Sequence, residues 1–149
     1  MRSDCETSNE TRDIRYILSV LPHRFPFLLV DRIVELNPGV SARGYKLISC
    51  NEPWLQCPGL LSIPPAYIIE ALAQLSGCIV LEPREVPRQP PYFAGIDRAR
   101  FRGLVLPGDR LELDAWIAAQ RRSITKVEGR AKVDGRVVCS ALLSFAAPS

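Results

Sequence analysis

Apolar and polar positions along the chain alternate in two different ways, and each way predicts its own element. Residues 63–81 read IPPAYIIEALAQLSGCIVL, apolar or small at almost every position, and predict a buried helix. Pro64 and Pro65 stand where such a helix opens, where its first N–H groups have no partner to lose. Residues 13–20 carry Ile14, Ile17 and Leu18 at helical spacing and stop before Pro22, which predicts a short helix. The remaining apolar blocks read as strands: 27–36, 42–50, 92–96, 111–119, 124–133 and 137–146. Turns are marked by Asn37-Pro38-Gly39, Leu106-Pro107-Gly108-Asp109, Arg121-Arg122-Ser123 and the hairpin pair Asp134-Gly135. Residues 83–91, with several prolines between charges, predict a connecting loop, and the polar residues 1–12 predict a flexible tail before one domain at 13–149. One long helix with an antiparallel sheet around it is an α+β arrangement.

The predicted long helix carries a single charged side chain, Glu70. A carboxylate among apolar neighbours is costly to desolvate, so it should be paired, protonated or put to use. Gln74 lies one turn on along the same face and can bond it. A structural bond to Gln74 and a chemical role are both open on this pattern alone.

Composition narrows the classes. The chain has 149 residues, 47% of them hydrophobic, enough for one domain with a real core. A net charge of +3 is too small to argue for nucleic acid, and no nucleic-acid-binding motif is present. The five cysteines, Cys5, Cys50, Cys57, Cys78 and Cys139, show no metal-ligand spacing and no even count for a disulfide framework. No metal and no cofactor are expected, and reduced thiols fit a cytoplasmic location. The N-terminus has no signal-peptide character, and no apolar run predicts a membrane span.

Five ordered blocks carry a resemblance. ILSVLPHRFPFLLVDRIVELNPG, NEPWLQ, IIEALAQLSG, YFAGIDRARFRGLVLPGDRLEL and KVDGRVVCSALL together resemble the β-hydroxyacyl-acyl-carrier-protein dehydratases of the FabZ type. The resemblance spans residues 17–143 and implies a hot-dog fold, an acyl-carrier-protein thioester as substrate, and a place in fatty acid synthesis. It implies a dimer with helices side by side and sheets joined edge to edge, and in relatives often a trimer of dimers. In the family a His and the helix Glu share the proton transfers that remove water from a (3R)-3-hydroxyacyl thioester, across a subunit interface. Glu70 matches that Glu.

The resemblance also marks two departures. Relatives read NEPFFQGHFPG and then a Pro-Gly pair opening the helix; here the stretch is NEPWLQCPGLLSIPPAYIIE, shorter by two residues after Gln56. The His of that element has no counterpart, because the chain's one histidine, His23, belongs to the separate LPHRFPF block. His23 is expected to be a partly buried imidazole between two proline-containing turns, so Glu70 is expected to lack an imidazole partner. His23 within bonding reach of Glu70 across a two-fold, or efficient double-bond formation by the pure homomer, would overturn the reading of a silenced site. The second departure is Pro65, which stands where the family's helix-opening Gly gives a main-chain N–H to the thioester carbonyl.

Pro65, Cys57 and Gln74 are therefore the expected substrate-contacting positions around Glu70. Cys57, with no cation near it in sequence, is expected to be a half-buried apolar side chain rather than a nucleophile. The site predicted is an impaired one: a non-catalytic homologue, or one half of a heterodimer whose partner brings the His. Two alternatives stay open, an active dehydratase whose base is Glu70, Cys57 or water, and a thioesterase in which Glu70 activates water. Arg98, Arg100 and Arg102, with Arg121 and Arg122, are either solvated strand ends or a docking surface for an acidic carrier protein.

Overall fold

The computed structural model describes residues 11–81 and 92–147. Helix α1 (Ile14–Val20) is followed by strands β1 (Arg32–Asn37) and β2 (Ser41–Leu47), a single 3-10 turn (Pro53–Gln56) and the long helix α2 (Pro65–Val80). Strands β3 (Tyr92–Phe101), β4 (Arg110–Arg121), β5 (Ile124–Val133) and β6 (Arg136–Ala146) complete the chain. All pairings are antiparallel, and the six strands lie in the order β1-β2-β4-β5-β6-β3. The expected loop at 83–91 and the first ten residues of the expected tail at 1–12 fall outside the described residues. Arg12, assigned to the tail by its sequence, exchanges two backbone hydrogen bonds with Ile33 at 2.8 and 3.0 Å.

Strand alternation makes the core. Leu111, Leu113 and Ala115 of β4, Val127 and Ala131 of β5, and Cys139, Ala141 and Leu143 of β6 point inward and are buried. They meet α2, whose Ile68, Leu72, Leu75 and Ile79 are almost fully covered. The helix packs close because Gly129 offers no side chain: a Cβ there would stand 3.2 Å from Leu72 Cδ2. Two proline residues set the start of α2, with Pro64 at the cap and Pro65 at the first helical position, and Leu81 N–H closes the end on Gly77 O at 2.8 Å.

Two strands depart from the sequence expectation by five residues at one end, and β2 stops at Leu47, three residues short of the expected end at Cys50. The segment predicted as strand from residue 27 becomes strand only at Arg32, because the backbone of Phe27 and Leu29 bonds the Gln74 side chain instead of a neighbouring strand. β3 runs to Phe101, five residues past the expected end. It sits at the sheet edge, and its register slips between Phe93 and Gly95 and again between Ile96 and Arg98. Those irregularities put Phe93, Ile96 and Phe101 opposite the inward residues Phe145, Leu143 and Cys139. All three face the helix side of the sheet yet remain 44–50% exposed. No helix among the described residues is long and apolar enough to cross a membrane.

Candidate active site

The end of α1 builds one wall of the site. Leu21 caps the helix and Pro22 cannot continue it, so the chain turns. Arg24 fixes that turn: its guanidinium donates to Leu18 O, Leu21 O and His23 O at 3.1, 2.8 and 2.7 Å. Carbonyls left open at the helix end are thereby satisfied, and His23 is held over the face of α2.

Along that face of α2, Glu70, Ala73, Gln74 and Gly77 line a cavity of about 290 Å³. Leu21, Pro22 and His23 wall one side, and Tyr92, Phe93 and Phe145 close the other. A Cβ on Gly77 would come within 3.2 Å of Leu21 Cδ2, so the glycine lets the α1 end approach. Apart from Glu70, His23, Gln74 and the Tyr92 phenol, the lining side chains are hydrocarbon.

Gln74 organises the polar end. It is 2% exposed, its Oε1 accepts from Leu29 N–H at 2.8 Å, and its Nε2 donates to Phe27 O at 2.7 Å and to Glu70 Oε1 at 2.9 Å. The expected Glu70–Gln74 bond is therefore present, together with two bonds that the sequence did not reveal. Glu70 is less buried than its helix suggested, with 28% of its side chain exposed.

The expectation that Glu70 lacks an imidazole partner is overturned. His23 Nε2 lies 3.3 Å from Glu70 Oε1, and within one chain rather than across a two-fold. His23 itself is partly buried, as expected, with 33% of its side chain exposed. Its Nδ1 is buried and has no hydrogen-bond partner among the described residues. Residues 47 apart in sequence meet here, and only the fold of the turn after α1 shows it.

Other expected positions fall elsewhere. Cys57 is exposed rather than half-buried, and neither it nor Pro65 lines the Glu70 cavity. Burial pushes the thiols of Cys78 and Cys139 up to about 12 and about 11, so both stay protonated and inert at neutral pH. No group of His, Cys, Asp or Glu that could hold a metal ion is found among the described residues.

The basic residues form two groups rather than one. Arg98 and Arg100 pair with Leu142 and Ser140 on the sheet face turned away from α2, and Arg130 flanks Ser140 from the other side. Arg121 and Arg122 sit at the β4–β5 turn, level with Ala146. From Ser140 to Ala146 is roughly 20 Å at the ordinary rise of a strand. Among the described residues, no carboxylate pairs with Arg98, Arg100 or Arg102 within 4.0 Å.

Comparison with known proteins agrees with this architecture. The FabA-like domain matches residues 21–142. The chain is 47% identical over 137 residues to the 3-hydroxyacyl-[acyl-carrier-protein] dehydratase FabZ of Shewanella baltica strain OS155, covering 88% of this chain and 89% of that one. It is 48% identical over 135 residues to the FabZ of Chloroflexus aggregans, covering 89% and 94%. Among solved structures, the dehydratase heterocomplex ApeI:P from Xenorhabdus doucetiae superposes with a TM-score of 0.71 at 18% identity, covering 89% of this chain and 91% of that chain. The E. coli PaaI protein superposes with a TM-score of 0.63 at 10% identity, covering 77% and 81%. Those two likenesses concern the fold. With the hot-dog architecture in place and Glu70 at the polar end of an apolar cavity, the chain belongs to the FabA-like family, as a FabZ-type 3-hydroxyacyl-acyl-carrier-protein dehydratase homologue.

Proposed function

We propose that this chain takes (3R)-3-hydroxyacyl thioesters from an acyl carrier protein, and that as a homomer it dehydrates them poorly. Family membership and the apolar cavity running from Glu70 support the substrate class. The observation that carries the impaired reading is the opening of α2. Pro64 and Pro65 have no N–H to place at the positive end of the helix dipole, where a thioester oxyanion would be stabilised. Loss of one such donor costs on the order of 100- to 1000-fold in rate.

His23 does not supply the missing base in this arrangement. Nε2 is turned to Glu70, Nδ1 is buried, and neither nitrogen is offered to a C2 proton. Chemistry then falls to Glu70, whose Oε1 is engaged by Gln74 and His23. Its other oxygen can take the C2 proton and hand it to the C3 hydroxyl, which leaves as water while the C2–C3 double bond forms. Without an oxyanion donor that route is slow. We propose that a His-bearing homologue restores the rate by sharing the cleft as the other half of a heterodimer. The open β3 edge and its uncovered Phe93, Ile96 and Phe101 support a surface for a second hot-dog chain, identical or homologous.

The test is an assay of enoyl product from a 3-hydroxyacyl carrier-protein thioester, with the protein alone and with the homologue that co-purifies from its host. Alone, turnover should lie at least about 100-fold below a His-bearing relative, and Glu70→Gln should abolish the remainder. Turnover at the relative's rate by the pure homomer overturns the impaired reading. A strictly homomeric protein in the host removes the heterodimer. Glu70-dependent release of free thiol without enoyl product would make the chain a thioesterase instead.

Carrier-protein docking is proposed at Arg98, Arg100 and Arg102, with Arg121 and Arg122 a second basic group farther along the sheet. Replacing Arg100 and Arg102 by glutamate should abolish carrier-protein binding at low salt, measured by calorimetry, with little effect on folding because both side chains are exposed. The wild-type contact should weaken as salt rises, since exposed charges are screened within about 10 Å at 0.1 M. Unchanged affinity in the double variant rejects the patch.

A further inference from the structure

The family resemblance assigns no chemistry to His23, the single histidine of the chain, although it lines the cleft beside Glu70. We infer that His23 is a positioning residue for Glu70: its neutral imidazole carries the proton on Nε2, directs it to Glu70 Oε1, and with Gln74 leaves Oε2 as the oxygen that meets a ligand.

Three observations carry this. The first is the 3.3 Å separation between His23 Nε2 and Glu70 Oε1. The second is the buried Nδ1, which has no acceptor among the described residues. A proton there would be an orphan donor, an arrangement that folded proteins avoid because the lost water contacts are not replaced. Both the Nδ1–H tautomer and the doubly protonated ring incur that cost; the Nε2–H tautomer leaves only a lone pair at the buried site. The third is the fixed direction of the Gln74 amide. Leu29 N–H donates to its Oε1, so its Nε2 must be the group that faces Phe27 O and Glu70 Oε1. With the proton on Nε2, His23 joins Gln74 Nε2 as a second N–H directed at the same carboxyl oxygen. Arg24, bonded to the His23 carbonyl, holds the turn that makes this possible.

The inference deepens the reading of Glu70 as the proton-exchanging group of the cleft and rests on it only for the consequence at a ligand. The tautomer is a property of the unliganded chain and can be measured without any thioester. Because the chain has one histidine, the imidazole signals of ¹⁵N-labelled full-length protein need no assignment. Long-range ¹H–¹⁵N correlation at mildly alkaline pH should show a fixed Nε2–H tautomer. Glu70→Ala should release it to a mixture of tautomers, while Glu70→Gln, whose amide oxygen still accepts, should keep it. An Nδ1–H tautomer or a tautomer mixture in the wild type overturns the inference, whatever the variants do. So does a wild-type pattern in Glu70→Ala whose amide spectrum shows it folded. Failure of the dehydration assay would leave all these outcomes readable.

Discussion

Gln74→Leu is expected to destabilise the chain by about 2–4 kcal/mol, although leucine is of similar bulk and fully apolar. The side chain is 2% exposed and holds three groups at once. Leucine orphans the Leu29 N–H, which is fully enclosed, and strips the Phe27 carbonyl and Glu70 Oε1 of a donor. Each buried polar group left unpaired costs roughly 1–3 kcal/mol, far more than the net worth of the bond that was there. In a domain of this size a loss of that order lowers the melting temperature by about 10 °C. Thermal unfolding followed by circular dichroism reads the change. A shift of a degree or less would mean that the backbone of 27–29 finds other partners, and that the clamp on Glu70 is looser than its distances imply.

Lys46→Met should cost about 3–5 kcal/mol, and the double variant Lys46→Met/Glu52→Leu should recover most of that. Lys46 reaches from β2 under the NEPW segment, where its Nζ meets Glu52 Oε1 at 2.9 Å and donates to Leu47 O at 3.3 Å. The two side chains are 9% and 11% exposed, so removing the ammonium strands a carboxylate out of water. Asp31, at 3.9 Å, adds a second carboxylate to the same ammonium. A buried ion pair is expensive to break from one side and cheap to replace from both, because the desolvation cost falls on whichever charge is left alone. Urea unfolding of the two variants separates the cases. If the double variant is as weak as the single one, the cost lies in lost packing around the lysine stem rather than in the stranded charge.

Much of the architecture could be read from periodicity. Continuous apolar character from Ile63 to Leu81 gave α2 to within two residues at its start and one at its end, and alternation gave β4, β5 and β6. β3 was cut short because the alternation fails there: its register slips twice, so Phe93 and Ile96 share a face at a spacing of three, and Asp97 and Arg98 interrupt the apolar run. The start of β1 was misplaced for a different reason. Phe27 and Leu29 look like strand residues, but a side-chain amide from α2 takes their backbone bonds. Site chemistry divided in the same way. Glu70 and Gln74 were legible because four residues apart on a helix means one face. His23 beside Glu70 was not, since a turn whose path is set by Arg24 bonding three carbonyls leaves no periodic trace. Cys57 sits just past the 3-10 turn, where neither hydropathy nor spacing distinguishes an exposed thiol from a half-buried one.

Leu72 seated against Gly129 has a consequence for the opposite side of α2. Leu72 and Glu70 are two positions apart and so point in nearly opposite directions around the helix axis. The notch at Gly129 acts as a detent: α2 cannot roll without lifting the leucine methyls over the β5 main chain. The aim of the carboxyl is thus geared to the sheet. A bound acyl chain must adapt to where Glu70 points, because the helix has no free rotation with which to follow it.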